Sequence, residues 1–194
     1  ILEILTNEHC FQINEILDFS VYEENRMFLE GTGSMILDRQ NKIIYASISE
    51  RTSIKLLNIF SKKMDYELIY FESFHKVQNK KLLIYHTNVM MCIASSFCII
   101  CLEAILDLNL RNKVVNSLLN SNKTIIEIDL NQINHFAGNM LEVHDKHQTP
   151  FLVMSSTAFH CLNSVQIQQI ENHSEIIHSP LNTIEKYGGG SARC

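Results

Sequence analysis

The sequence predicts an α/β fold assembled from repeated strand–strand–helix–strand units packed side by side. Short apolar, β-branched runs alternate with stretches whose apolar residues fall at helical spacing. The order strand, strand, helix, strand occurs more than once, although the residues themselves repeat too faintly to define a period. Proline is confined to Pro150 and Pro180, and no linker or low-complexity tract interrupts the 194 residues, so a single domain over 1–194 is expected.

Each element has a local reason. Ile1-Leu2-Glu3-Ile4-Leu5 resembles the tail of a helix. Residues 35–38 and 42–45 flank the turn-like Arg39-Gln40-Asn41 and read as a hairpin. Residues 52–62 place Ile54, Leu56, Leu57 and Phe60 at helical spacing, and 66–71 read as a strand. Residues 82–85, 89–93 and 97–102 are strand-like. Residues 109–119 form a helix with Leu110, Val114, Val115, Leu118 and Leu119 on one face, followed by a strand at 124–128. Asp129 suits the N-cap of a short helix. Residues 139–143 and 150–154 make a second hairpin. Ser155 and Ser156 then open a helical run towards Cys161, and Ser164 opens another. A strand at 175–178 and a helix at 181–187 complete the pattern.

Composition excludes several classes. The net charge is −5, and Lys and Arg form no dense stripe, so no nucleic-acid partner is expected. No run of about 18 uncharged apolar residues is present, so no membrane span is expected. No signal-peptide pattern opens the sequence. Cys10, Cys92, Cys98, Cys101, Cys161 and Cys194 do not form a disulfide framework, and several lie in apolar runs; reduced thiols in a cytoplasmic protein are expected. Cys98-Ile99-Ile100-Cys101 has C-x-x-C spacing, but on a strand its two thiols face opposite sides and read as buried small hydrophobes. His144-Asp145-Lys146-His147 reads as a solvated turn rather than a metal site. No cofactor motif is present. The sequence begins at Ile1 and ends on Cys194, so an excerpt of a longer protein is expected.

Three segments carry chemistry. In Phe28-Leu29-Glu30-Gly31-Thr32-Gly33-Ser34, Glu30 ends a strand-like stretch before a glycine-rich turn, where a carboxylate can point into a cleft; the plainer reading is a surface glutamate. In Tyr85-His86-Thr87-Asn88-Val89-Met90-Met91, His86 lies between apolar residues. Imidazole is the usual proton shuttle near neutral pH, and the plainer reading is a hydrogen-bonded core histidine. His86 and Asn88, two apart, would share one face of a strand. In Gly188-Gly189-Gly190-Ser191-Ala192-Arg193-Cys194, the glycines let backbone N–H groups approach a ligand. Their dipoles would favour the thiolate form of Cys194; the plainer reading is a flexible tail. The Gly-Lys-Ser/Thr ending of a phosphate-binding loop is absent.

Leu29-Glu30-Gly31-Thr32-Gly33-Ser34, Tyr85-His86-Thr87-Asn88-Val89-Met90-Met91, Phe136-Ala137-Gly138-Asn139-Met140-Leu141-Glu142 and the run from Ile184-Glu185 to Cys194 carry a resemblance that runs over essentially the whole chain. Together they resemble the guanidino-group-modifying superfamily of arginine deiminases, dimethylarginine hydrolases and amidinotransferases. Within it they are most similar to the citrulline-utilising hydrolases usually called amidinotransferases. The resemblance implies a pentein fold, a ring of five strand–strand–helix–strand modules around a channel. It implies Cys194 as nucleophile, His86 as general acid/base and Glu30 as the carboxylate gripping the nitrogen-bearing end of the substrate. The sequence departs from the family by lacking roughly one upstream module, so the ring cannot close from these residues alone. It also carries Asn88 where arginine deiminases have an aspartate.

The chemistry accounts for these residue types. A guanidinium or ureido carbon is a poor electrophile, and thiolate is the best side-chain nucleophile. One nitrogen must take a proton to leave, and an imidazole can give it, then accept one from the hydrolytic water. A carboxylate accepts N–H hydrogen bonds and holds the carbon in line. Asn88 in place of an aspartate favours a neutral ureido compound such as citrulline, because an amide matches both donors and acceptors. Asn139 opens a strand after Gly138, where modular rings place ligand contacts; the plainer reading is a turn asparagine. Asn88, Asn139 and Gly190 are the expected substrate contacts.

The expected activity is cofactor-free hydrolysis of a linear C–N bond in a citrulline- or arginine-like amino acid through a covalent thiol intermediate. Amidino transfer to an amine differs only in what resolves that intermediate. The alternative from another class is a non-catalytic binding ring, since this fold also serves a ribosome anti-association factor. A small-molecule amino acid is the expected partner, and homo-oligomerisation is left open.

Overall fold

The computed structural model of the chain describes residues 2–9, 11–77 and 80–194, so Ile1 and Cys10 lie outside the described residues. One topology occurs three times. After helix α1 (Leu2–Asn7) and the short helical turn α2 (Gly31–Ser34), strand β1 (Ile36–Asp38) turns into antiparallel β2 (Ile43–Ser47). Helix α3 (Ile54–Met64) then carries the chain over to β3 (Glu67–Phe71), parallel to β2. A hairpin of β4 (Phe74–Val77) and β5 (Lys80–Leu83) leads into the second unit. There β6 (Met91–Ile93) and β7 (Phe97–Ile100) are antiparallel, and α4 (Leu108–Asn120) crosses to β8 (Thr124–Glu127), parallel to β7. After α5 (Leu130–Ile133), the third unit pairs β9 (Leu141–His144) antiparallel with β10 (Pro150–Ser155). Helices α6 (Ser156–Cys161) and α7 (Ser164–Glu171) then lead to β11 (Glu175–Ser179), parallel to β10, and α8 (Asn182–Gly188) follows. A tight turn suffices for each antiparallel pair, whereas each parallel pair needs the helical crossover.

Strand β1 lies against β6 and β6 against β9, so the first strands of the three units meet side by side. One core runs through all three, from Tyr45, Ile69 and Phe71 through Met91, Phe97 and Ile99 to Leu152 and Ile170. The cap expected at Asp129 is present, and the structure adds two that the sequence reading did not name. Asp107 accepts from the N–H groups of Asn109 and Leu110 to open α4. Asp129 and Gln132 form a capping box on α5, and Asn163 and Gln166 form one on α7. The buried Gln132 and Gln166 amides also bond each other, at 2.8 and 3.0 Å, tying the second unit to the third.

Three stretches differ from expectation. The strands expected at 82–85 and 89–93 are β5 and β6, and between them Thr87–Val89 is a 3-10 turn. Thr87 explains the turn: its buried hydroxyl donates to the Ser34 carbonyl at 2.6 Å and accepts from the Ser47 N–H at 2.8 Å, which draws the chain off any sheet. The strand expected at 97–102 stops at Ile100, where Cys101 N–H donates to the Met90 carbonyl and a 3-10 turn, Leu102–Ala104, begins. Strand β4 had no apolar alternation to announce it.

Candidate active site

The site gathers where the chain enters the first strand of each unit. Glu30 is not the end of a strand; it is the residue before α2, its N–H held by the Ser34 hydroxyl at 2.8 Å. The Ser34 hydroxyl donates in turn to the Arg51 carbonyl, fixing the turn to the loop ahead of α3. From this turn the Glu30 carboxylate meets His86 Nε2 at 2.7 Å. The His86 side chain is 14% exposed and that of Glu30 41%, so the pair sits at a rim, with the imidazole as its inner member. The ring lies flat on Gly33, where a Cβ would come within 2.8 Å of two ring atoms. Glycine at 33 is therefore a condition of the His86–Glu30 pair. His86 and Asn88 do not share a strand face, because Asn88 lies in the 3-10 turn.

The thiol arrives from the far end of the sequence. Helix α8 ends at Gly189, whose φ of +70° turns the chain back, and residues 189–194 form a loop. Cys194 folds onto Gly190, where a Cβ would stand 2.5 Å from the Cys194 Cβ and 3.0 Å from its Sγ. Gly190 thus makes room for the thiol. The donors on the sulfur are side-chain amides, not the backbone N–H cradle that the glycine run suggests: Asn139 Nδ2 at 3.1 Å and Asn88 Nδ2 at 3.7 Å. Glycine at 190 serves close approach, and the amides supply the positive dipoles.

Asn139 is no ordinary turn residue. It is buried just ahead of β9 rather than within it. Its Nδ2 also lies 3.2 Å from the Asn88 carbonyl, and its Oδ1 accepts from Arg193 N–H at 3.0 Å. Asn88 is 2% exposed, and its Oδ1 makes no hydrogen bond among the described residues. Tyr85, on the other side of His86, reaches the same loop by donating to the Gly189 carbonyl at 3.4 Å. Burial pushes the Tyr85 hydroxyl above its ordinary range, Cys194 adds to the rise, and Arg51 opposes it. The thiol loop is therefore bonded to residues on both sides of His86, which itself holds Glu30. These contacts bring Glu30, His86, Asn88, Asn139, Gly190 and Cys194 into one neighbourhood.

Two further residues escaped the sequence reading. Arg51 lies 3.8 Å from the Glu30 carboxylate, and its guanidinium sits 5.2 Å from the centre of the Tyr85 ring. Nothing in the polar stretch around Arg51 marks it; only the fold brings it to the rim. Tyr85 was discoverable as the neighbour of His86. Cys98 and Cys101 are buried, as is Cys92, and Asp145 closes the hairpin turn by accepting from the His147 and Thr149 N–H groups. The five described cysteines are free. Among the described residues no cluster of three or more His, Cys, Asp or Glu could hold a metal, and no helix is long and apolar enough to cross a membrane.

Fold and site together define an α/β protein with a thiol, an imidazole and a carboxylate at the joined edge of its repeated units. Over residues 1–194 the sequence matches the family of N,N dimethylarginine dimethylhydrolases, eukaryotic, and the chain belongs to that family. No curated protein matches it. Among solved structures, it is similar to a variant of the N-terminal domain of ArgZ, an arginine dihydrolase from cyanobacteria, covalently bound to a reaction intermediate. That match has 19% identity and a TM-score of 0.66, over 96% of this chain and 60% of the other. AgrE with ornithine and NAD+ has 20% identity and a TM-score of 0.63, over 86% and 22%. Agmatine deiminase of C. jejuni has 10% identity and a TM-score of 0.54, over 100% of this chain and 59% of the other, and its C315S form with substrate bound has 9% identity and the same TM-score, over 99% and 59%. The chain thus spans about 60% of the ArgZ domain it resembles. These neighbours are pentein-fold proteins, and the α/β fold of the chain is theirs; the described residues supply three units.

Proposed function

We propose that this chain hydrolyses a C–N bond of a guanidinium-bearing amino acid of the dimethylarginine type, with Cys194 as nucleophile, His86 as proton carrier and Glu30 as substrate anchor. One observation carries the reading: a sulfur that accepts from two buried amides is bonded into the segment that holds a 2.7 Å imidazole–carboxylate pair. The family and the covalent intermediate on ArgZ support it.

The steps balance within these residues and water. The Cys194 thiolate forms a bond to the guanidinium carbon, and a C–N electron pair moves onto nitrogen. His86, as imidazolium, gives its proton to the substituted nitrogen, and the C–N bond breaks to release an amine. Water then adds to the carbon of the S-linked intermediate and gives a proton to His86. The hydroxyl on the tetrahedral carbon gives its proton to solvent as the C–S bond breaks, the thiolate returns, and a neutral ureido amino acid leaves. Glu30 accepts from the substrate N–H groups, a charge-assisted contact with a cation. Arg51 offers a cation at the rim for the carboxylate of the amino-acid end. Asn88 turns its donor towards the sulfur and leaves its oxygen free. Membership of the dimethylarginine dimethylhydrolase family supports a guanidinium substrate over the citrulline expected from Asn88 as a residue type.

The test offers dimethylarginine, arginine and citrulline to the purified protein and follows amine release. Dimethylarginine should yield dimethylamine, and Cys194→Ala should lower the rate by at least about 10³-fold. Turnover of citrulline alone would reverse the substrate assignment. Turnover unaffected by Cys194→Ala would remove the nucleophile.

A further inference from the structure

Helix α8 has no buried residue; Ile184 is 54% exposed and Tyr187 79%. Apolar packing therefore does little to hold it, yet the thiol loop hangs from its end. What holds it is polar. Hydroxyls surround the Glu185 carboxylate: Oε1 accepts from Ser191 at 2.7 Å, Oε2 accepts from Thr157 at 2.7 Å, and Ser155 adds a further hydrogen bond. Thr157 belongs to α6, which is anchored in the third unit through buried Ala158. Ser191 is the buried residue of the loop, 4% exposed between half-buried and exposed neighbours.

We propose that Glu185 is a positioning residue, whose carboxylate clamps the Ser191 loop to α6 and so sets where Cys194 stands relative to His86 and Glu30. The proposal rests on Cys194 being the nucleophile. Three contacts tie the loop to other elements: Tyr85 on the Gly189 carbonyl at 3.4 Å, Glu185 on Ser191 at 2.7 Å, and Asn139 on the Arg193 N–H at 3.0 Å. Ser191 and Arg193 flank Ala192 and Cys194 lies just beyond, so releasing Glu185 from Ser191 leaves the end of the loop to Asn139, Asn88 and its own turn from Cys194 N–H to the Ser191 carbonyl among the described residues, with Tyr85 holding only its start at Gly189. The carboxylate is suited to this work. Burial would raise it, but hydrogen bonds from Ser155, Thr157 and Ser191 outweigh burial and hold it below the usual carboxylate range. It stays an anionic acceptor, whose hydrogen bonds are the stronger kind.

The experiment compares two alkylating probes on Cys194. A chloroacetamidine must be seated by Glu30 and His86, as a guanidinium would be; iodoacetamide needs only an accessible thiol. Glu185→Ala should slow the amidine probe by roughly 10–10²-fold, the scale of a misplaced reacting group, while leaving iodoacetamide labelling within about threefold. Ser191→Ala should reproduce the loss, and the double variant should be no slower than Glu185→Ala, because both break one contact. Glu185→Gln, which can still accept from one hydroxyl and donate to the other, should recover most of the rate. Should Glu185→Ala fail to fold, Ser191→Ala alone carries the test. Amidine labelling at the parent rate in Ser191→Ala, or equal slowing of both probes in Glu185→Ala, overturns the positioning role. If the parent protein is not labelled by the amidine at Cys194 at all, it is the nucleophile assignment that fails.

Discussion

Cys92, Cys98 and Cys101 line the interior of the second unit, each at most 2% exposed. Burial pushes their thiols up, to about 11 for Cys92, to about 12 for Cys101 and well above the ordinary range for Cys98. Cys194 is exposed on a loop, with amide donors rather than apolar side chains around its sulfur. The same side chain is a filler in one place and addressable in the other. The difference comes from neighbours: close-packed Ile, Met and Phe in the first case, two asparagines and a glycine in the second. A buried thiolate would lose its hydration with no return, whereas a thiolate at Asn139 keeps a hydrogen bond.

The largest expected effect is on alkylation at neutral pH. A thiol near 11 or 12 carries roughly 10²–10³-fold less thiolate than a free one, and close packing slows access further. Peptide mapping after brief iodoacetamide treatment should find Cys194 modified and Cys92, Cys98 and Cys101 intact, and unfolding in urea should erase the contrast. Comparable labelling in the folded protein would break it. Next in size, Asn139→Ala removes both the 3.1 Å donor on the sulfur and the acceptor for Arg193. Hydrogen bonds to charged groups contribute about 1.5–3 kcal/mol, so labelling of Cys194 should slow by about 10–10²-fold.

The interior has its own pH signature. Burial pushes the Tyr45 hydroxyl up to about 12, against the lowering effect of Ser117, whose hydroxyl lies 2.7 Å away. The fold favours the protonated phenol, so this contribution is intact below pH 10, the ordinary tyrosine value, and is lost as pH rises towards 12. The unfolding free energy from urea titrations should fall across that window by on the order of 2 kcal/mol, and Tyr45→Phe should flatten the fall. The smallest effect sharpens the comparison most directly. Cys98→Ala should lower stability by about 1–2 kcal/mol through the cavity it leaves, with Cys194 labelling unchanged. Cys194→Ala should shift stability by no more than about 0.5 kcal/mol. Urea unfolding of both variants reads this.

Much of the architecture was legible because hairpin turns, amphipathic helices and caps act locally. Asp129 announces α5, and the apolar face of 109–119 announces α4. What was not legible depends on distant partners. The 3-10 turn at Thr87–Val89 exists because Thr87 finds Ser34 and Ser47, 53 and 40 residues away in sequence. The glycine run marked the thiol loop, but its meaning changed: Gly190 yields space, and the dipoles come from Asn88 and Asn139. Arg51 could not be singled out, since a lone arginine in a polar loop looks the same wherever it folds.

The Thr87 hydroxyl has one last consequence. By joining Ser34 to Ser47 it knots the turn that carries Glu30, the outer end of β2 and the segment that carries His86 into one three-way junction. A chimera taking its first unit from one relative and its second from another would cut through that knot. Such repeats must be inherited as matched pairs, and recombination between lineages should succeed only at borders that leave the junction whole.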